Sequence, residues 1–249
     1  PQIHCGAAYK TWWAEQEGID PDKIVVVSFM PCTSKKYEAN HEKLKVDGRK
    51  PVDYVLTTRE AEGLLKKYKL NLPNLEPGQV DRAGTYSGAG AIYGASGGVM
   101  ESALRTAAHM LTGKNLPKLE FEQVRGMAGI KKAEVEIDGQ TLRVAVVSTP
   151  KNARIILDEI KKDPEAYHYV EFMACPGGCI GGGGQPIPTT REIVEKRIAG
   201  LYQIDDKMKL RQAHDNPVVK EFLDYIEQLP EDRQEELLHT HYRKRKKFE

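Results

Sequence analysis

Residues 24–32 read IVVVSFMPC, and residues 167–179 read YHYVEFMACPGGC. Each starts as a short run of apolar, β-branched and aromatic side chains and ends at a Pro and a Cys. An unbroken apolar run at 24–29 predicts a strand of a parallel sheet, covered on both faces. YHYVEFMA (167–174) predicts a second short buried strand. Working outward, residues 2–16 have helical spacing that stops near Gly18, and VDYVLTT (52–58) reads as another strand. A helix follows over 60–69, with Thr57 or Thr58 as its cap. Residues 71–96, rich in Gly, Pro and small side chains, form a loop too long to be idle in a compact domain. GGVMESALRTAAHMLTG (97–113) is helical with Gly113 as its stop. AEVEIDGQTLRVAVVS (133–148) is a hairpin turning at Asp138 and Gly139. A helix over 151–162 leads to the second cysteine-bearing strand. The remainder is helical, with NPVVKEFLDYIEQL (216–229) its clearest amphipathic piece. Strands alternating with helices give an α/β fold, mostly parallel sheets with covering helices and a small helical C-terminal appendage. The expected division is 1–204 and 205–249.

Composition limits the partners. The chain has 249 residues, with 37 Lys and Arg against 36 Asp and Glu. That balance provides no global field to recruit nucleic acid or a membrane surface. RKRKK (243–247) is basic, yet its terminal position predicts a solvated, frayed tail. No stretch approaches the length of a membrane span. PQIHCGAAYK has neither an initiator Met nor a signal pattern, so Pro1 is expected to lie inside a longer polypeptide. Cysteines at 5, 32, 175 and 179 are too few and too unevenly placed for a disulfide scaffold. Metal-binding thiolates in a reducing, cytoplasmic setting fit them better.

Cys175-Pro-Gly-Gly-Cys179 leaves a strand and enters four consecutive glycines, 181–184. Such a backbone approaches a bulky inorganic group without a Cβ clash and turns bare amides toward thiolates. Three readings stand side by side. Structural zinc usually takes two short-spaced pairs, and only one is present. Inert buried thiols fit poorly inside a glycine-rich loop. An iron–sulfur cluster accepts scattered cysteines and favours Gly/Pro loops. Cys32 joins the group because Met30-Pro31-Cys32 lies at the C-terminal end of a predicted parallel strand, where α/β sheets place their ligand crevices. Cys175 ends another strand in the same way. Cys5, on a probable helix beside Gly6 and Ala7, reads as a small buried hydrophobe.

FMPCTSKKYEA (29–39) and EFMACPGGCIGGGGQP (171–186) resemble two of the three signature segments of iron-only (di-iron) hydrogenases. TYSGAGAIYGASGGVMESALR (85–105), QVRGMAGIKKAEVEI (123–137), AHDNPVVKEFLDYI (213–226) and LLHTHYRKR (237–245) also resemble that family, so the likeness spans the chain. It implies a buried H-cluster held between two lobes: a 4Fe–4S cubane joined through a cysteine sulfur to a di-iron subcluster with CO, cyanide and a bridging dithiolate. By motif position, Cys32 and Cys175 resemble cubane ligands and Cys179 the bridging ligand. Lys35 would hydrogen-bond a cyanide as a buried ammonium, with Glu38 orienting it, while Lys36 stays at the surface. Met30 and Met173 would flank the di-iron unit with soft, non-ionisable contact. Pro31 and Gly94 would shape the pocket through their backbone. The 205–249 segment resembles the hydrogenase small-subunit region.

The family's first signature, a Thr-Ser-Cys-Cys-Pro loop, is not in this sequence. In the family that loop supplies the fourth cubane ligand and the cysteine that passes protons. The resemblance therefore implies a partner: an upstream part of the same polypeptide, or a second subunit, carrying that cysteine. Electrons would pass to a carrier such as ferredoxin or NAD(P)H-linked subunits. The expected activity is H2 oxidation or proton reduction. An H2-sensing regulatory hydrogenase and a non-catalytic iron–sulfur assembly factor of the related family are the alternatives.

Overall fold

A computed structural model describes residues 1–116 and 118–240. In chain order its helices and strands are α1 (Gln2–Ala8), α2 (Ala14–Glu17), β1 (Val27–Met30), α3 (Ser34–Ala39), β2 (Tyr54–Thr57) and α4 (Thr58–Lys67). Then come α5 (Gly88–Ala91), α6 (Gly98–Thr112), β3 (Ile130–Ile137), β4 (Gln140–Ser148) and α7 (Pro150–Lys162). β5 (Tyr169–Met173), α8 (Arg191–Lys207), α9 (Pro217–Glu227) and α10 (Glu231–Leu238) complete the order. The chain divides into two compact units, Pro1–Glu76 with Lys220–Glu249, and Pro77–Val219. The boundary expected at 204/205 falls within α8. The basic run 243–247 lies outside the described residues.

In the first unit, α1 and α2 are joined by a π-helical turn, Tyr9–Trp13, and Gly18 ends the run with φ of 62°. This matches the helix predicted over 2–16. β1 pairs in parallel with β2, from Val27 opposite Tyr54 to Met30 opposite Thr57. The expectation of cover on both faces is not met here: Val25, Val27, Phe29 and Tyr54 are exposed. A sheet of two strands, within this unit, packs one face only. That face joins Ala39, Val52 and Val55 to Ile3, Val26 and Met30. Asp53 accepts Val26 N at 2.7 Å and the buried Lys10 Nζ at 2.7 Å, which pins the start of β1. Thr57 caps α4 through a complete capping box with Glu60. α9 and α10 contribute Phe222, Ile226 and Leu237 to a cluster with Ala7 and Val46.

In the second unit, β3 and β4 form the predicted hairpin, and β5 adds in parallel to β4. β4 is buried on both faces over Val144–Ser148, because a helix covers each side. Val144 and Val146 pack with Met100, Leu104 and Ala108 of α6. Ala145 and Val147 pack with Ile156 of α7. α6 ends at Gly113, as read from sequence, with φ of 68°. α8 packs Tyr202, Ile198 and Leu201 onto Ile92 and Ala95.

An ionic cluster ties α6 to α8. Arg105, Glu101 and Asp205 are each 0% exposed. Arg105 grips both carboxylate oxygens of Asp205, at 2.9 and 2.8 Å, and donates to Glu101 Oε1 at 2.8 Å. Its remaining N–H groups reach the carbonyls of Leu119 and Arg211. Arg125 closes on Glu101, and Arg211 on Asp205, at 2.6 and 2.7 Å. Each buried charge of this cluster therefore meets an opposite one, the condition for burying ions at tolerable cost.

Candidate metal-cluster site

The expected site residues fall into two groups, one in each unit. In the first, Met30 ends β1, Pro31 and Cys32 turn the chain, and Lys35 and Glu38 ride on α3. Lys35 and Glu38 form an ion pair one helical turn apart. Lys35 is half-buried rather than buried, with its side chain 25% exposed. The carboxylate of Glu38, not depth, is what holds it. Lys36 is the surface lysine expected, paired with Glu60 at 2.9 Å. Met30 packs beside the Ala39, Val52 and Val55 cluster, so part of its side chain serves the core.

Gln2 organises this group, and nothing in its sequence context signals that. Its amide Nε2 donates to the Lys35 carbonyl at 2.9 Å, and its Oε1 accepts from Ser28 Oγ at 2.8 Å. Buried at 4% exposure, it ties the strand that delivers Cys32 to the helix that carries Lys35. Cys5 departs from expectation: it is exposed, because α1 turns Gln2, Gly6 and Ala7 inward instead.

In the second unit, β5 delivers Met173 and then the Cys175–Cys179 loop. Gly177 and Gly178 take φ of 75° and 98°, a region that strains any residue bearing a Cβ. Gly178 also passes so close to the Gly94–Ser96 backbone that an added Cβ would sit 2.5 Å from Ser96 N and 2.7 Å from Gly94 O. Ser96 N donates to Gly177 O at 3.0 Å. Gly94 in turn faces Ile180 and Leu201. The structure thus brings Gly94 onto the same loop as Cys175 and Cys179. Cys175 is half-buried and Cys179 exposed.

Two charged side chains missed by sequence reading lie behind this loop. Glu171, 5% exposed, accepts Gly97 N at 2.7 Å and Met100 N at 2.8 Å. Burial holds its carboxyl above the usual range despite those two donors. Lys131, 8% exposed, donates to Gly126 O, Ser96 O and Ser96 Oγ at 2.8, 3.0 and 3.1 Å. Burial pushes its ammonium down to about 8. The one signal for Glu171 was a carboxylate inside an apolar strand. Lys131 carried none, because Lys131-Lys132 reads as two solvated charges.

The donor set fits an iron–sulfur group. It consists of soft thiolates on strand-to-loop junctions, and the loop bearing two of them turns on two glycines with positive φ. Among the described residues no three His, Cys, Asp or Glu side chains are gathered around a point suited to one metal ion.

The α/β architecture and the thiolate loops define a metal-cluster protein. The chain belongs to the iron-only hydrogenase family. Residues 1–183 match the iron only hydrogenase large subunit, C-terminal domain, and 191–245 match the iron hydrogenase small subunit. It is 41% identical over 251 aligned residues to iron hydrogenase 1 of Clostridium pasteurianum, covering 98% of this chain and 44% of that protein. It is 43% identical to the NADP-reducing hydrogenase subunit HndD of Solidesulfovibrio fructosivorans, covering 100% of this chain and 43% of that one. The chain therefore spans less than half the length of these relatives. A solved FeFe-hydrogenase of Chlamydomonas reinhardtii superposes with a TM-score of 0.78 at 39% identity, covering 97% of this chain and 68% of that one. Cytosolic iron-sulfur assembly component 3 of Pongo abelii is more distant, at 33% identity over 97% of this chain and 52% of its own. No helix among the described residues is long and apolar enough to cross a membrane.

Proposed function

We propose that this chain is the C-terminal part of the catalytic region of a hydrogenase that interconverts H2 with protons and electrons at an H-cluster. The observation that carries this reading is the Cys175–Cys179 loop, held on Gly94–Ser96 by close backbone approach, in a chain 41% identical along its length to an iron hydrogenase. When bound, the H-cluster supplies the two-electron chemistry of H2 and relays electrons. This chain's residues hold and shield it. Cys32 and Cys175 would hold the 4Fe–4S part of the cluster, and Cys179 would hold the part that carries the di-iron subcluster. Lys35, oriented by its ion pair with Glu38, would donate to a cyanide of the bound cluster. Met30 and Met173 exclude water with thioether surface that cannot ionise. Pro31 and Gly94 shape the pocket wall through their backbone. The division into a catalytic 1–204 and a helical 205–249 belongs to the same proposal.

The fourth cubane ligand comes from an upstream part of the same polypeptide or from a second subunit. The exposed Val27, Phe29 and Tyr54 on the two-stranded sheet support such a contribution, since a parallel pair this apolar is suited to burial. Electrons leave to a ferredoxin or to NAD(P)H-linked subunits, the latter favoured by the likeness to an NADP-reducing hydrogenase subunit. Thiolate ligation suits a reducing, cytoplasmic location, although one relative is a periplasmic hydrogenase large subunit. A second reading, a non-catalytic iron–sulfur assembly protein, is supported by the 33% identical assembly relative.

Infrared spectroscopy of the protein after maturation, paired with H2 production from a reduced dye, separates these readings. CO and cyanide bands with turnover are the expected result, with both lost in Cys179→Ser. Bands without turnover would move the assignment to an H2 sensor. Bound iron with no such bands would overturn the hydrogenase reading in favour of the assembly protein.

A further inference from the structure

In the second unit, Val146 of β4 is in register with Lys131 of β3 on one side and Glu171 of β5 on the other. One row across three strands thus reads Lys, Val, Glu, with the two charges about 10 Å apart at their backbones. Lys131 shares its strand face with Val135 and Ile137, which together with Val146 pack against α6. Both charged side chains therefore stand on an inward face, where a solvated alternative is closed to them. Both reach one short turn, although Lys131 also donates to Gly126 O at 2.8 Å. Lys131 takes Ser96 O and Oγ, and Glu171 takes the amides of Gly97 and Met100. The backbone from Ser96 into the first turn of α6 is thereby fixed to the sheet from two sides.

That turn is also the surface on which the cysteine loop rests. Ser96 N donates to Gly177 O, and Gly178 lies in van der Waals contact with the Gly94–Ser96 backbone. We propose that Lys131 and Glu171 are positioning residues, a clamp on the Ser96–Met100 turn that sets where the Cys175–Cys179 loop presents its thiolates. The clamp works through Ser96, without contact to the reacting atoms. Glu171 has a second hold on the same loop, since β5 runs from it directly through Met173 to Cys175. This inference rests on the cluster-site reading above for its functional meaning, but the clamp itself is a property of the polypeptide.

The test uses the intact protein with Lys131→Met, Glu171→Gln and Lys131→Arg. Glutamine keeps the size of Glu171 yet offers one acceptor where two amides now donate. Hydrogen exchange is followed at the Ser96 amide and at amides of the β3–β4 hairpin away from the clamp. Lys131→Met and Glu171→Gln are expected to speed exchange at Ser96 by about tenfold or more relative to those hairpin amides. Lys131→Arg, which restores a buried cationic donor, is expected to recover most of the protection. In the matured protein the same two variants should shift the CO and cyanide infrared bands at unchanged iron content. Unchanged exchange at Ser96, or an equal rise at the hairpin, would overturn the clamp. So would failure of both Lys131→Met and Glu171→Gln to fold, since the pair would then determine the fold as a whole. Altered exchange with identical infrared bands would overturn the positioning role. Absence of those bands in the wild-type protein would strike the hydrogenase reading instead, and the exchange measurement would still decide the clamp.

Discussion

Gly178→Ala tests whether the cysteine loop and the Gly94–Ser96 turn are as closely joined as described. Two separate costs arise. At φ of 98° and ψ of −165° the backbone lies in an extended region open essentially to glycine, which costs an alanine about 1–3 kcal/mol. The new methyl also lands 2.5 Å from Ser96 N and 2.7 Å from both Ala95 C and Gly94 O. All three are backbone atoms, so no side chain can swing aside. Overpacking of this kind costs about 1–3 kcal/mol, and parting the turn from the loop gives up the Ser96–Gly177 hydrogen bond, about 1 kcal/mol more. The total is about 5 kcal/mol. Gly139→Ala supplies the control, because Gly139 has φ of 75° but nothing within 4 Å of its added Cβ. It should show the cost of a positive φ without any steric contact, about 1–2 kcal/mol. Urea unfolding followed by circular dichroism measures both. A Gly178→Ala loss no larger than that of Gly139→Ala would refute the close approach.

Arg105→Met leaves Glu101 and Asp205 short of their central cation in a fully buried cluster, a loss of about 3–5 kcal/mol by urea unfolding; a loss under about 1 kcal/mol would mean the carboxylates reach solvent. Lys131 sets a pH signature. Its ammonium titrates at about 8 in the folded protein, against the ordinary lysine value of 10.5 that holds once the chain unfolds. Between those values the unfolded chain holds more protons, so this residue's contribution to stability rises with pH. Below pH 8 its burial cost stands in full, about 3 kcal/mol, and Lys131→Met should abolish the upward slope from 8 to 10.5; a variant with the wild-type slope would contradict the assignment. Cys5→Ser should leave iron content unchanged after cluster reconstitution, because Cys5 points outward from α1; loss of iron would make it a ligand.

Much of the fold was legible because its signals are local. The capping residue Thr57, the stops at Gly18 and Gly113 and the hairpin turn at Asp138 and Gly139 each encode a boundary in one or two residues. The cysteine loop was legible for the same reason, since its glycines announce an unusual backbone. What escaped reading depends on partners distant in sequence. Lys131 and Glu171 become a pair only when Val146 brings β3 and β5 to one row, and Gln2 matters only once Ser28 and Lys35 fold beside it. The depth of cover on β1 failed differently. A run such as IVVVSF says that the strand is apolar, not how many neighbours it has, and β1 has one described strand partner.

The buried salt cluster bears on how the chain is put together. Glu101 and Arg105 lie in the part that matches a hydrogenase large subunit, and Asp205 and Arg211 in the part that matches a small subunit. Were the backbone cut between residues 184 and 190, the bidentate Arg105–Asp205 pair would be divided between the fragments. Arg105 would keep Glu101 but face a 0%-exposed site with its bidentate carboxylate missing, and Asp205 would keep Arg211 but lose Arg105. Neither fragment has a comfortable existence apart, so a nicked protein should stay together as a tight two-chain complex. Here covalent continuity ensures that the two halves are synthesised in equal number and meet as soon as they fold.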